Sequence, residues 1–397
     1  MKLLRKTGLL LYLACIFLTL WSARSAQPQQ TLDLSAQTTT QERISSEVWW
    51  PTKPDMPMSA FAGSSSCKPC HQPGLAHTET SMQHAASTAA VTDFHAEKLT
   101  ANSPPFKYSL TSSPSGIEFT ASQGAHKLSH PLDWVMGAGD LGRTFLYQAD
   151  GRWYQSRISY YTRPSALDIT TGLSSTQATS LPTALGQLLS PEDARSCFGC
   201  HTVHATTSSG FNPLHAEAGL GCEACHGPTR AHVDAMHQQI HAPAHPASES
   251  AVFNPAKLSP SDSIDFCGSC HRSFADASLI IGPGQGTAVV RFQPYRLEES
   301  KCWRSTRDER LTCVACHDPH QPLERNTASY DRHCLQCHST AAQKTQPPAS
   351  THTVSICPKA SSGCITCHMP KVTVASMHGE FTDHFIRVVK PGASLPR

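Results

Sequence analysis

Cys222-Glu-Ala-Cys225-His226 is one of seven places where the chain reads Cys-x-x-Cys-His. The others are Cys67-Lys-Pro-Cys70-His71, Cys197-Phe-Gly-Cys200-His201 and Cys267-Gly-Ser-Cys270-His271, then Cys313-Val-Ala-Cys316-His317, Cys334-Leu-Gln-Cys337-His338 and Cys364-Ile-Thr-Cys367-His368. Fourteen of the 17 cysteines sit in these motifs. With 17 Cys and 23 His in 397 residues, composition alone would place only about 0.04 such strings in the chain. The repetition therefore reflects chemistry.

Two thiols separated by two residues reach both vinyl groups of one haem and form thioether bonds, and the adjacent His lies under the iron as an axial ligand. Zinc ribbons also pair Cys-x-x-Cys elements, and exported chains use disulfides, but neither needs a His after the second Cys seven times out of seven. The motifs predict seven covalently attached c-type haems. The proximal ligands are then His71, His201, His226, His271, His317, His338 and His368.

The spacing of the motifs sets the expected architecture. Their first cysteines stand at 67, 197, 222, 267, 313, 334 and 364, so one gap spans 130 residues and six motifs crowd the last 200. Little chain separates those six, which predicts a mostly α or irregular multihaem fold whose core is dominated by porphyrin. The long gap reads differently. Phe106–Leu110, Gly116–Thr120, Arg143–Gln148 and Arg152–Tyr160 are rich in aromatic and β-branched residues, and Asp150-Gly151 is a hairpin signal. A small antiparallel β insertion is expected over about 104–162. Trp134, Trp153, Tyr154, Tyr160 and Tyr161 are expected in its core, with capping of a haem or a partner surface as the alternative.

The ends bear on compartment. Lys2, Arg5 and Lys6 precede an uncharged run from Gly8 to Trp21, and Ala23 and Ser25 fit a small-x-small cleavage site, so residues 1–25 read as a secretory signal peptide. An uncleaved anchor would need about 20 apolar residues. A lipid anchor through Cys15 fits poorly because Tyr12 stands three residues before it. Residues 26–62, rich in Gln, Thr, Ser and Pro, read as a flexible lead-in. Residues 63–185 are then expected to carry the first haem and the β insertion, and 186–397 the other six haems. The destination is periplasmic or otherwise exported, with membrane contact at most peripheral. A net charge of +2 argues against a nucleic-acid partner.

Subtracting the seven proximal histidines from 23 leaves more than enough imidazoles to fill the opposite axial positions. Mostly bis-His, six-coordinate haems are expected, of lower potential than Met-ligated ones. His204 and His320 follow a proximal His by three residues and so reach a neighbouring haem more readily than their own. His84, on an expected helix after the first motif, His232, His352, His378 and His384 complete the candidates. His237, His241 and His245 have helical spacing and read as a solvated face. Cys302 and Cys357 are the two cysteines left after the signal and motifs are set aside. They are either a disulfide or two thiols.

Several strings resemble the large family of multihaem cytochromes that includes the tetrahaem electron acceptor of hydroxylamine oxidoreductase. They are Cys222-Glu-Ala-Cys-His-Gly-Pro228 with His232, Cys313-Val-Ala-Cys-His-Asp-Pro-His320, Cys364-Ile-Thr-Cys-His-Met-Pro-Lys371 and Phe381-Thr-Asp-His384. The resemblance covers roughly 63–390. It implies electron transfer, distal roles for His232, His320 and His384, and a Cys302–Cys357 pairing. Seven motifs in place of four mean that the family's haem layout does not carry over. The expected partners are other redox proteins: a quinol oxidase, a reductase or further cytochromes. The alternative is an oxidoreductase acting on a small nitrogen or sulfur compound at one open haem. No Cys-x-x-Cys-Lys motif or legible acid–base constellation accompanies that reading.

Overall fold

Alternation decides the N-terminal half. In the computed structural model the described residues are 56–71, 80–90, 94, 98–241 without 115, 175, 208 and 209, 252–280, 286–306, 310–339, 356–358, 361–390 and 392. The signal peptide, most of the lead-in, His245 and His352 lie outside them.

Strands β1 (Ala86–Thr88), β2 (Leu99–Ser103), β3 (Phe106–Ser113), β4 (Gly116–Gln123), β5 (His126–Pro131) and β6 (Trp134–Met136) come first. Strands β7 (Gly142–Ala149), β8 (Arg152–Ser156), β9 (Ile158–Tyr161), β10 (Ala166–Ile169) and β11 (Gly186–Leu188) follow. Strands β2 to β5 form a four-stranded meander, and the other seven form a second sheet in which β7 pairs with β6, β8 and β9. All of these pairings are antiparallel. The expected hairpin is present: Ala149 pairs with Arg152 across Asp150 and Gly151, both at positive φ, the geometry that an Asp-Gly turn supplies.

On β3, Phe106, Tyr108 and Leu110 are buried while Lys107 and Thr111 face out; on β4, Ile117, Phe119 and Ala121 turn inward. They meet Val135, Phe145, Tyr147 and Ile158 of the second sheet in one apolar cluster. This is a two-sheet body running from Ala86 to Leu188, larger than the insertion that the sequence suggests. The extra strands have little signal of their own. Strand β2 reads Leu-Thr-Ala-Asn-Ser, and β5 reads His-Lys-Leu-Ser-His-Pro, so each is a strand because a neighbour's ladder completes it. The chain is thus an α and β protein, not a mostly α one.

Helices take over after β11: α1 (Leu181–Leu185) just precedes it, and α2 (Pro191–His201), α3 (Cys222–His226), α4 (Arg230–His241) and α5 (Pro260–His271) come after. Further on lie α6 (Phe274–Ile280), α7 (Gly286–Val289), α8 (Gln293–Glu299), α9 (Lys301–Thr306), α10 (Asp331–His338) and α11 (Cys364–His368). A final hairpin pairs β12 (Lys371–Val374) with β13 (Gly379–Thr382). Helices α2 and α5 share a start signal. Ser190 and Ser259 cap Asp193 N–H at 3.0 Å and Asp262 N–H at 3.2 Å, with Pro at the first helical position of each. Apolar packing is thin here: the buried cluster is Ile264, Leu297 and Trp303. Among the described residues, no helix is long and apolar enough to cross a membrane.

The two regions meet at the second motif. Phe198, between Cys197 and Cys200, is fully buried, with Trp134 at 5.2 Å, Trp153 at 5.1 Å and Phe211 at 5.5 Å around it. The two tryptophans therefore serve packing. Because Phe119 lies in the opposite layer, Phe119→Ala should cost about 3–5 kcal/mol in denaturant unfolding of the β body. The haem content of the purified protein should stay unchanged; a matching loss of haem would show that the two regions do not fold separately.

Candidate haem-binding region

All three chemical positions of motifs 1, 3, 4, 5 and 6 line one continuous cavity of about 3280 Å³. A pocket for one drug-sized ligand is about 300–1,000 Å³, so this space suits several large cofactors side by side. The motifs also touch one another. Cys67 of motif 1 lies close enough to interact with Cys222 of motif 3, Cys267 of motif 4 with Cys313 of motif 5, and Cys334 of motif 6 with Cys364 of motif 7. Burial, reinforced by the neighbouring thiol, pushes Cys67 up to about 12. Motif 2 abuts motif 4 through Cys200 Sγ, 3.6 Å from Ser269 O. Among the described residues no three His, Cys, Asp or Glu side chains converge as a bare metal ion would require.

The imidazoles carry the more specific geometry. His201 Nδ1 donates to Ala85 O at 2.8 Å, His226 Nδ1 to Phe253 O at 2.9 Å, His368 Nδ1 to Arg387 O at 2.8 Å and His384 Nδ1 to Thr382 O at 3.0 Å. A carbonyl only accepts, so each Nδ1 carries a proton and each Nε2 is turned away from that contact. This is how an iron-binding His is normally oriented. Burial lowers His271 and His317, and takes His384 down to about 4, so these rings are neutral, the form a metal needs.

Iron about 2.0 Å from each of two imidazole nitrogens puts the ring centroids about 6.3 Å apart. Three pairs stand at that spacing: His71 and His232 at 6.4 Å, His226 and His320 at 6.1 Å, and His317 and His384 at 6.2 Å. Each joins a motif His to a candidate distal His from another part of the chain, and His232, His320 and His384 all line the cavity.

The other candidates lie elsewhere. His84 is exposed on the turn leading into β1, not on a helix. His204 is buried without a hydrogen-bond partner for Nε2, packed on Phe61 at 4.0 Å and 3.7 Å from Glu223 Oε2. His378 spends its Nε2 on Asp168 Oδ2 at 2.8 Å and packs on Tyr161 at 4.6 Å, which docks the last hairpin on the β body. His352 falls outside the described residues. His333 went unnoticed in the sequence although it directly precedes Cys334. It lines the cavity with its Nδ1 buried, and burial lowers it.

Carboxylates hold neighbouring motifs together. Glu223 lies inside motif 3, yet it accepts from Ala62 N–H at 2.9 Å and Gly63 N–H at 2.8 Å, just ahead of motif 1. It also accepts from Thr229 N–H at 2.9 Å and the Thr229 hydroxyl at 2.8 Å. Cys222 N–H donates to Ser64 Oγ at 3.0 Å. The end of the lead-in is therefore tied down at Ala62 and Gly63, after a short 3-10 turn at Met58–Ala60. Burial would raise Glu223, but the nearby His204 imidazole and these donors outweigh it and hold the acid at about 2. Asp331, at the start of α10, accepts from Gly363 N–H and Cys364 N–H, both at 2.8 Å, and so fixes the start of motif 7.

Residues 168–227 match the family described as cytochrome c554 and c-prime. That stretch contains motifs 2 and 3. The match covers 60 of the chain's 397 residues. No curated protein matches the chain. Among solved structures, the outer cell wall cytochrome OcwA aligns with a TM-score of 0.43 and 13% identity, over 84% of this chain and 80% of its own. That likeness is too slight to define a shared fold.

Glu223→Gln should cost about 1–3 kcal/mol, the worth of hydrogen bonds to a buried charge. The sign follows from the lowered acid. Its contribution is complete above about pH 4, the unfolded value, and fades as pH falls toward about 2. Thermal unfolding of the holoprotein from pH 6 to pH 2.5 checks this: the wild type should lose its advantage over the variant across the acid range.

Proposed function

We propose that this chain is an exported electron carrier or conduit holding seven c-type haems, most of them with two His ligands. The observation that carries the reading is the set of three imidazole pairs at 6.1–6.4 Å. In each, one partner belongs to an attachment motif. The haems would supply reversible one-electron exchange between ferric and ferrous iron. The protein's own part is to fix the axial imidazoles and bring the attachment sites into contact.

The residues fit that cofactor. Cys67, Cys70, Cys222, Cys225, Cys313 and Cys316 would form the thioethers of the three haems with paired imidazoles. His71 with His232, His226 with His320 and His317 with His384 would be the axial ligands. His320 follows motif 5 by three residues but stands opposite the motif 3 His, so one short segment serves two sites. Contacts between motifs favour passage of electrons from site to site in a conduit over one isolated reaction centre. The partners would be other redox proteins on either side of the chain.

Touching thiols in an exported chain would also suit disulfides. Pairing Cys67 with Cys222, for example, accounts for neither Cys70 and Cys225 nor the facing imidazoles, so the haem reading explains more of the geometry.

The haem count is tested by intact mass and pyridine haemochrome assay on protein matured with the c-type machinery. Seven haems per chain are expected; cross-linked cysteines without added haem mass would sink the reading. Electron paramagnetic resonance of the oxidised protein should show mostly low-spin signals, and His232→Ala should convert one of them to high spin. No change in that variant would remove His232 from the ligand set.

A further inference from the structure

Arg296 and Asp383, 1% and 0% exposed, form a two-pronged ion pair inside the protein. Arg296 Nε meets Asp383 Oδ1 at 2.8 Å and Nη2 meets Oδ2 at 2.9 Å. Arg387 adds a third charged contact, Nη1 to Asp383 Oδ2 at 2.6 Å. Both guanidinium groups lie over the Phe385 ring, at 5.0 Å and 5.1 Å. Apolar side chains could fill the same space without the cost of burying charge, so the network calls for another explanation.

Its place in the chain suggests one. Asp383 directly precedes His384, and its Oδ1 also takes Phe385 N–H at 3.0 Å, so the carboxylate curls over the His384 peptide. His384 faces His317 at 6.2 Å. Four residues after Asp383, Arg387 O receives His368 Nδ1 at 2.8 Å, and Arg387 N–H returns a bond to His368 O at 3.2 Å. One segment, 382–387, therefore sets the imidazole opposite motif 5 and orients the motif His of motif 7.

We propose that Asp383, Arg296 and Arg387 are positioning residues whose charge network locks this segment, so that axial ligands of two different haems are set together. The inference rests on the haem reading above. The ligands that this segment directly carries or holds are those at motifs 5 and 7.

Spectroscopy of the holoprotein tests it, with His384→Ala as reference. Asp383→Asn should lose the same low-spin signal that His384→Ala loses, and added imidazole should restore it. The signal of a second haem should shift without being lost, and the others should stay as in the wild type. Arg387→Ala, which leaves the Arg296 pair in place, should shift the same two signals and lose neither. It decides the matter if Asp383→Asn does not accumulate. Unchanged spectra, or equal disturbance of every haem, would overturn the proposal. Absence of low-spin bis-His signals in the wild type would instead overturn the haem reading.

Discussion

Buried carboxylates are the constraint on which the C-terminal half depends. The chain there has few apolar side chains to pack, and its short helices would have little to hold them in register. Glu223 binds the backbone ahead of motif 1 from within motif 3. Asp331 binds the start of motif 7 from the start of α10, the helix of motif 6. Asp383, gripped by Arg296, holds the segment that reaches both His317 and His368. Backbone N–H groups and guanidinium groups are directional donors, so each carboxylate fixes an orientation as well as a distance. A buried pair such as Arg296 and Asp383 would cost about 3–5 kcal/mol to break from one side.

The β body works by the opposite means. Its inward faces form an apolar core of their own, and it needs no cofactor to explain its packing. Its outer face then grips one attachment site: Phe198 of motif 2 sits among Trp134, Trp153 and Phe211, and His201 Nδ1 bonds to Ala85 O at the edge of β1. Motif 2 is thus oriented by sheet packing, whereas motifs 1, 3, 6 and 7 are tied by carboxylates. His378 on Asp168 joins the last hairpin to the same body.

The Cys-x-x-Cys-His strings were legible in the residues, but the architecture was less so. Cys-x-x-Cys-His is a local instruction, because the thiols and the His must lie within one helical turn to meet one haem. The Asp150-Gly151 hairpin was legible for the same reason, a positive-φ turn flanked by aromatic residues. Strands β2, β5, β10 and β11 were not, since each is defined by hydrogen bonds to a partner and not by its own alternation. Of the distal candidates, nothing local separates His320 from His204. Each follows a motif His by three residues, yet one faces His226 and the other turns to Glu223.

The sequence by itself determined which atoms are available: seven pairs of thiols, seven adjoining imidazoles and a surplus of further histidines. Covalent spacing is a property of the chain and survives any fold. Only the tertiary structure decided which imidazole faces which, that Glu223 binds Gly63 from 160 residues away, and that Arg296 meets Asp383 across 87 residues. Those are distances through space between groups far apart along the chain, and no local pattern of residue types encodes them.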